Sequence, residues 1–202
     1  MRIIVHWFSE RVDVVDLFGA IHGRRAVRDY TPEEVGEDML RGVIDAAIQA
    51  PSSMNRQPWS FAIVNNRTVL EHCSKEAKKL ALATMHANAH LASVRDRLAS
   101  PDFNIFYNAP ALVVIAATER DSMARQDCCL AAGNLMLAAH GYGLGTCWIG
   151  FAEAWLNEPE GRSVLMLPAS QVPVAPIIIG HPRGGNPVAP ARRQPHITWI
   201  EG

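Results

Sequence analysis

An excess of charge of either sign is missing from this chain: among 202 residues, 19 Lys and Arg stand against 20 Asp and Glu, a net charge of -1. No global field draws it to nucleic acid or anionic lipid, so any basic function must be local. Also missing is an apolar run near the roughly 20 residues that a membrane-spanning helix needs. The opening MRIIVHWFSERVDVVD places charges where a signal peptide carries its apolar stretch, and a soluble, cytoplasmic protein is the expectation. Cys73, Cys128, Cys129 and Cys147 show no CxxC spacing, and the adjacent pair cannot form an ordinary long-range staple. They read as buried small hydrophobes in a reducing compartment. No repeat, low-complexity tract or Ser/Gly-rich linker divides the chain. What remains is 49% hydrophobic, which excludes disorder as the dominant state and suffices for one core.

Leu17, Phe18 and Ile21 recur at helical spacing after Asp16, and Gly23 sits where a helix stops. Leu40, Val43, Ile44, Ala47 and Ile48 form one apolar stripe, predicting a helix to about Ala50, before Pro51. Its start is either Thr31 in TPEE or Gly36. WSFAIVN, ALVVIAAT and PIIIG read as buried strands, being short, apolar and rich in β-branched or aromatic residues. Val69 to Leu98 is helical in composition but poorly periodic after Leu82, a mobile or ligand-facing helix pair. Met123 to His140 is apolar on nearly all sides and ends at Gly141, which suits a core or a subunit interface. This mixture without regular βαβ alternation predicts an α+β layer fold.

Four stretches could carry chemistry. RRAVRDY concentrates positive charge in extended chain, where Arg24, Ala26 and Arg28 would face one way and Arg25 and Val27 the other. Paired guanidinium groups suit a phosphate; taken alone, the segment reads more readily as a solvated charged loop. PSSMNRQPW crowds Ser52, Ser53, Asn55 and Gln57 between Pro51 and Pro58, donors and acceptors suited to the edge of a planar heterocycle or a polyol. The bland alternative is a helix-to-strand connection. GYGLGTCWIGF follows a helix, so its glycines are not a Rossmann fingerprint, which follows a strand. Lacking Cβ, they admit close backbone approach to a flat ligand, with main-chain N–H groups near Ile149 and Gly150 free to bind it. Arg192 and Arg193, after a glycine and proline passage, offer a second phosphate grip or a solvated tail.

In order and spacing, LFGAIHGRRAVRDYTPEEV, AAIQAPSSMNRQPWSFAIV, NAPALVVIAA, AAGNLMLAAHGYGLGTCWIGF and PIIIGHP resemble the nitroreductase family of NAD(P)H-dependent FMN oxidoreductases, from about Val15 to Arg193. The resemblance implies an N-terminal extension over residues 1–14 and one FMN-binding domain over 15–202. It implies a central, mainly antiparallel sheet flanked by helices, in a homodimer with FMN between the subunits. Arg24, Arg25 and Arg28 would hold the phosphate and pyrimidine edge, with Arg192 or Arg193 adding to the phosphate grip. Pro51, Ser52, Ser53, Asn55 and Gln57 would come from the partner chain. The backbone of Cys147, Trp148, Ile149 and Gly150 would lie along the isoalloxazine, with an N–H near N5. Many members carry serine where this chain has Ala26, so one cofactor contact is absent.

The activity implied is hydride transfer from NAD(P)H to a nitroaromatic, quinone or similar planar acceptor by a ping-pong mechanism, with no general base in the protein. A flavin storage or sensor protein with little turnover is the alternative. A metal hydrolase using His86 and His90 at i, i+4 is a weak third reading, because the Glu of a HExxH site is absent. Phe103, Phe106 and Tyr107 could face the flavin ring, with core packing favoured for the last two. No nucleic-acid or membrane partner is expected.

Overall fold

The computed structural model describes residues 16–85 and 92–201. Asp16 opens helix α1 (Leu17–Gly23) by accepting the Gly19 N–H at 2.9 Å, satisfying a donor that a helix start leaves unpaired. Helix α2 (Glu37–Ala47) starts after Gly36, so TPEE is not its first turn. Tyr30 bridges Pro182 and the Thr31 N–H donates to the His181 carbonyl at 2.9 Å, which holds the chain just before TPEE extended. The helix ends at Ala47 rather than near Ala50. The Gln49 and Ala50 N–H groups bond three residues back, tightening the chain into a turn.

Four strands form one sheet: β1 (Trp59–Val64), β2 (Ala111–Ala117), β3 (Gly145–Trp148) and β4 (Val172–Gly180), in the order β1-β2-β4-β3. Every neighbouring pair is antiparallel. A register shift between Ile115 and Ala116 lies opposite the stretch containing Pro173, where a missing N–H is tolerated. The sequence predicts three of these strands. The fourth, β3, lies within what reads as a glycine loop, because four residues carry too little alternation to register as a strand.

Buried along its whole length, β2 separates two cores. Val113 and Ile115 pack with residues of α2 and of α5 (Ser122–Gly141). Leu112 and Val114 join residues of α3 (Arg67–Thr84) and α6 (Gly150–Leu156) on the other side. This period-2 division is what an apolar strand covered on both faces requires. Helix α4 (Ala92–Ala99) follows α3, and α7 (Pro159–Val164) follows α6. The expected helix pair is therefore present, interrupted by residues outside the described set, where His86 and His90 also fall. The N-terminal extension 1–14 lies outside that set as well. No helix among the described residues is long and apolar enough to cross a membrane.

Candidate functional site

The arginine segment lies against the outer edge of β3. Ala26 forms a parallel bridge with Thr146, and the Val27 N–H donates to the Thr146 carbonyl at 2.9 Å. Val27 is buried there, while Arg24 and Arg25 remain half-buried and Arg28 exposed. Arg25 turns back on its own chain: its Nη1 donates to the Arg24 carbonyl, its Nη2 to the His22 carbonyl at 2.5 Å, and its buried Nε has no partner. Arg24 carries the electrostatic strain. Burial, then the charges of Arg25 and Arg192, push its guanidinium below the ordinary arginine value; Cys147 opposes them weakly, and no carboxylate among the described residues does. The structure thus brings Arg192 near Arg24 from a point far along the chain. Arg193 lies exposed in the same extended tail.

Arg28 opens onto a cleft of about 720 Å³, within the range of small-molecule sites. One wall is Cys147, Trp148, Ile149, Gly150 and Phe151; the other includes Val94, Arg97, Leu98, Phe103, Ile105 and Tyr107. The Cys147 thiol donates to the Trp148 carbonyl at 3.7 Å and is raised above its ordinary value by burial, which nearby Arg28 partly offsets. Of the two expected free N–H groups, Ile149 is not free: it donates to the Pro176 carbonyl at 2.8 Å. Pro176, lacking an N–H of its own, leaves a carbonyl in β4 that anchors this turn. Gly150 opens α6, so its N–H lies beyond the helix's own ladder, and a Cβ built on it meets nothing within 4 Å. Phe106 is buried as expected, whereas Tyr107 is only half-buried and lines the cleft. Cys73, Cys128 and Cys147 are buried, but Cys129 is exposed.

Ser52, Ser53, Asn55 and Gln57 do form a built loop. A 3-10 turn spans Ser53–Asn55, and Met54, Asn55 and Gln57 all have positive φ. The Gln57 N–H donates to Ser52 Oγ at 3.0 Å, and Gln57 Nε2 to Asn55 Oδ1 at 3.1 Å. Asp127, which sequence reasoning missed, is the anchor. It is 5% exposed on α5, and its two carboxylate oxygens accept the Ser53 N–H at 3.1 and 3.2 Å. Arg56 adds a surface tie, Nη1 lying 2.6 Å from Glu119 and 2.9 Å from Asp121. Replacing Asp127 with alanine leaves that N–H without its acceptor. The expected loss is about 1–3 kcal/mol in urea denaturation, with Asp127→Asn losing less because one acceptor oxygen remains.

This loop and the arginines sit at opposite ends of α5. Asp127 holds the loop near the helix start, whereas the His140 ring packs on Gly23 at its end. Thirteen residues of helix separate these anchors by about 20 Å at 1.5 Å per residue.

His140 also senses the arginines. Burial, then the charges of Arg24 and Arg25, hold its imidazole below the ordinary value. The unfolded chain is therefore protonated first as pH falls below about 6.5. The stability contributed by neutral His140 is complete above that pH and is lost as pH falls through the lower folded value. The melting temperature should drop between about pH 7.5 and 5.5, and drop less in His140→Gln; equal slopes would exclude His140 as the source.

A profile of the Nitroreductase family matches residues 21–181. A Methanothermobacter thermautotrophicus protein with the provisional name NADH dehydrogenase/NAD(P)H nitroreductase is 28% identical over 188 residues, covering 90% of this chain and 85% of its own length. A crystal structure of a nitroreductase with bound FMN from Bacteroides fragilis superposes with a TM-score of 0.78 at 29% identity, covering 91% of this chain and 98% of that one. One from Desulfitobacterium hafniense, also with bound FMN, gives 0.76 at 26% identity, covering 91% and 97%. With the α+β architecture and the arginine-lined cleft in place, the profile match over residues 21–181 establishes that the chain belongs to the nitroreductase family.

Proposed function

We propose that the protein is an FMN-dependent oxidoreductase that accepts hydride from NAD(P)H and reduces a planar acceptor, a nitroaromatic or a quinone, in two half-reactions with ping-pong kinetics. The observation that carries this reading is the gathering of Arg24, Arg25 and Arg192 beside the cleft walled by Cys147–Gly150. Guanidinium groups gathered in this way suit a phosphate. The unpartnered Arg25 Nε and the open space over Gly150 fit a phosphorylated flat ligand. Bound FMN supplies the two-electron chemistry. Arg24 and Arg192 would hold its phosphate, and Arg28 its pyrimidine edge. The Gly150 N–H would donate near N5, and the absent Cβ would let the ring lie against the backbone. Ala26 contributes no hydroxyl, a difference of about 0.5–1.5 kcal/mol against a serine at that position.

The same geometry supports a homodimer. The loop holding Ser52, Ser53, Asn55 and Gln57 is too far along α5 from the arginines of its own chain, so a second copy would bring it to the site. Leu17 and Phe18 on α1, with Leu130 on α5, are exposed apolar side chains suited to that contact. Protein purified without added flavin should be yellow and release FMN. NADH or NADPH should be oxidised rapidly with menadione or a nitrofuran, giving parallel double-reciprocal plots. A yellow protein with background turnover would instead be a flavin carrier, and a preparation that stays colourless with excess FMN would remove the reading.

A further inference from the structure

The cleft wall facing β3 and α6 carries a cation that flavin binding does not use. Arg97, on α4, lies with its guanidinium carbon 4.6 Å from the Phe103 ring centre and 5.3 Å from that of Tyr107. The two rings meet edge to face, with centres 5.5 Å apart. Among the described residues, Arg97 makes no ion pair and no hydrogen bond. A guanidinium resting on aromatic faces keeps its N–H donors along its edge, in the fork that matches a carboxylate.

The wall behind it is built. Lys78 Nζ donates to the Ser100 and Phe103 carbonyls, each at 2.9 Å. The buried Ser74 hydroxyl accepts the Ile105 N–H at 3.0 Å. Tyr107 adopts φ of 53°, a left-handed conformation that an aromatic residue takes only where surroundings impose it. Arg97 is exposed while neighbouring Leu98 and Ile105 are buried, which puts the charge at the mouth of an otherwise apolar wall.

We infer that Arg97 is the subsite for an anionic substituent, a carboxylate, on the planar aromatic acceptor. This deepens the reductase reading and rests on it. An acceptor ring lying in the cleft places a substituent at its rim, within reach of the guanidinium edge.

The test compares 4-nitrobenzoate with its uncharged isostere 4-nitrobenzamide in the wild type, Arg97→Ala and Arg97→Lys. The ratio of kcat/KM for the acid over the amide should fall about tenfold or more in Arg97→Ala, and Arg97→Lys should recover part of it. Equilibrium dialysis of each probe against the flavin-loaded protein reads the same subsite without turnover: the dissociation constant should rise about tenfold for the acid and stay within about twofold for the amide. Equal effects on both probes, or a loss confined to NADPH over NADH, would overturn the subsite. Absence of turnover with both probes and with menadione would instead remove the reductase reading, while dialysis still decides the subsite.

Discussion

Arg24→Ala is expected to weaken FMN binding while leaving the flavin-free protein as stable as before, or more so. Loss of a charge-assisted hydrogen bond to phosphate removes about 1.5–3 kcal/mol, one to two orders of magnitude in dissociation constant. The second half of the expectation comes from electrostatics. Burial and the charges of Arg25 and Arg192 act against a charged Arg24, with Cys147 the weaker opposing influence and no carboxylate among the described residues on its side. Removing the group relieves that repulsion. Fluorimetric titration with FMN and thermal melts of the stripped protein measure the two effects separately. Weaker binding accompanied by an equal fall in apo stability would mean that Arg24 is a structural residue.

Gly145→Ala should damage both fold and site through a single methyl group. A Cβ at this position would stand 2.7 Å from the Val27 Cβ and Cγ2 and 2.8 Å from its Cγ1. Val27 is short, β-branched and 2% exposed, so it has no rotamer that clears the clash. Either β3 or the arginine segment must move. The destabilisation expected from such overpacking is about 1–3 kcal/mol. Because Arg24 and Arg28 flank Val27 and are held through the Ala26–Thr146 bridge, FMN affinity should fall with stability. Space is restored only by removing the Val27 Cβ as well, so Gly145→Ala should cost less of both in a Val27→Gly background than in the wild type, measured by urea denaturation and flavin titration. Equal costs in the two backgrounds would place the damage elsewhere.

The parts of this protein legible in its sequence are those whose signal is local and continuous. Strands β1 and β2 announce themselves as apolar runs, and the stripe from Leu40 to Ala47 marks α2. Where α2 begins is a competition between two caps, decided by tertiary contacts that hold Thr31 extended against His181. Strand β3 is hidden by its length: Gly145–Trp148 becomes a strand because β4 supplies its partners. Within the site, Arg24, Arg28 and the serine and amide loop show through their residue types. Asp127 does not, since it acts on the backbone of Ser53, 74 residues away, although a lone carboxylate in so apolar a helix was a usable signal. Ile149 looked free because nothing local indicates that Pro176 faces it. Arg97 sits in the least periodic stretch, and its stacking depends on Tyr107 adopting a backbone conformation that tyrosine rarely takes.

The bridge between Ala26 and Thr146 has one more effect. At that end of the sheet β3 has β4 on one side only, and the segment bearing the arginines shields its other flank. An uncovered strand flank is a template for joining another chain. Whatever loosens this strip therefore bares a sticky border at the same moment, so flavin depletion and clumping should rise together in damaged variants.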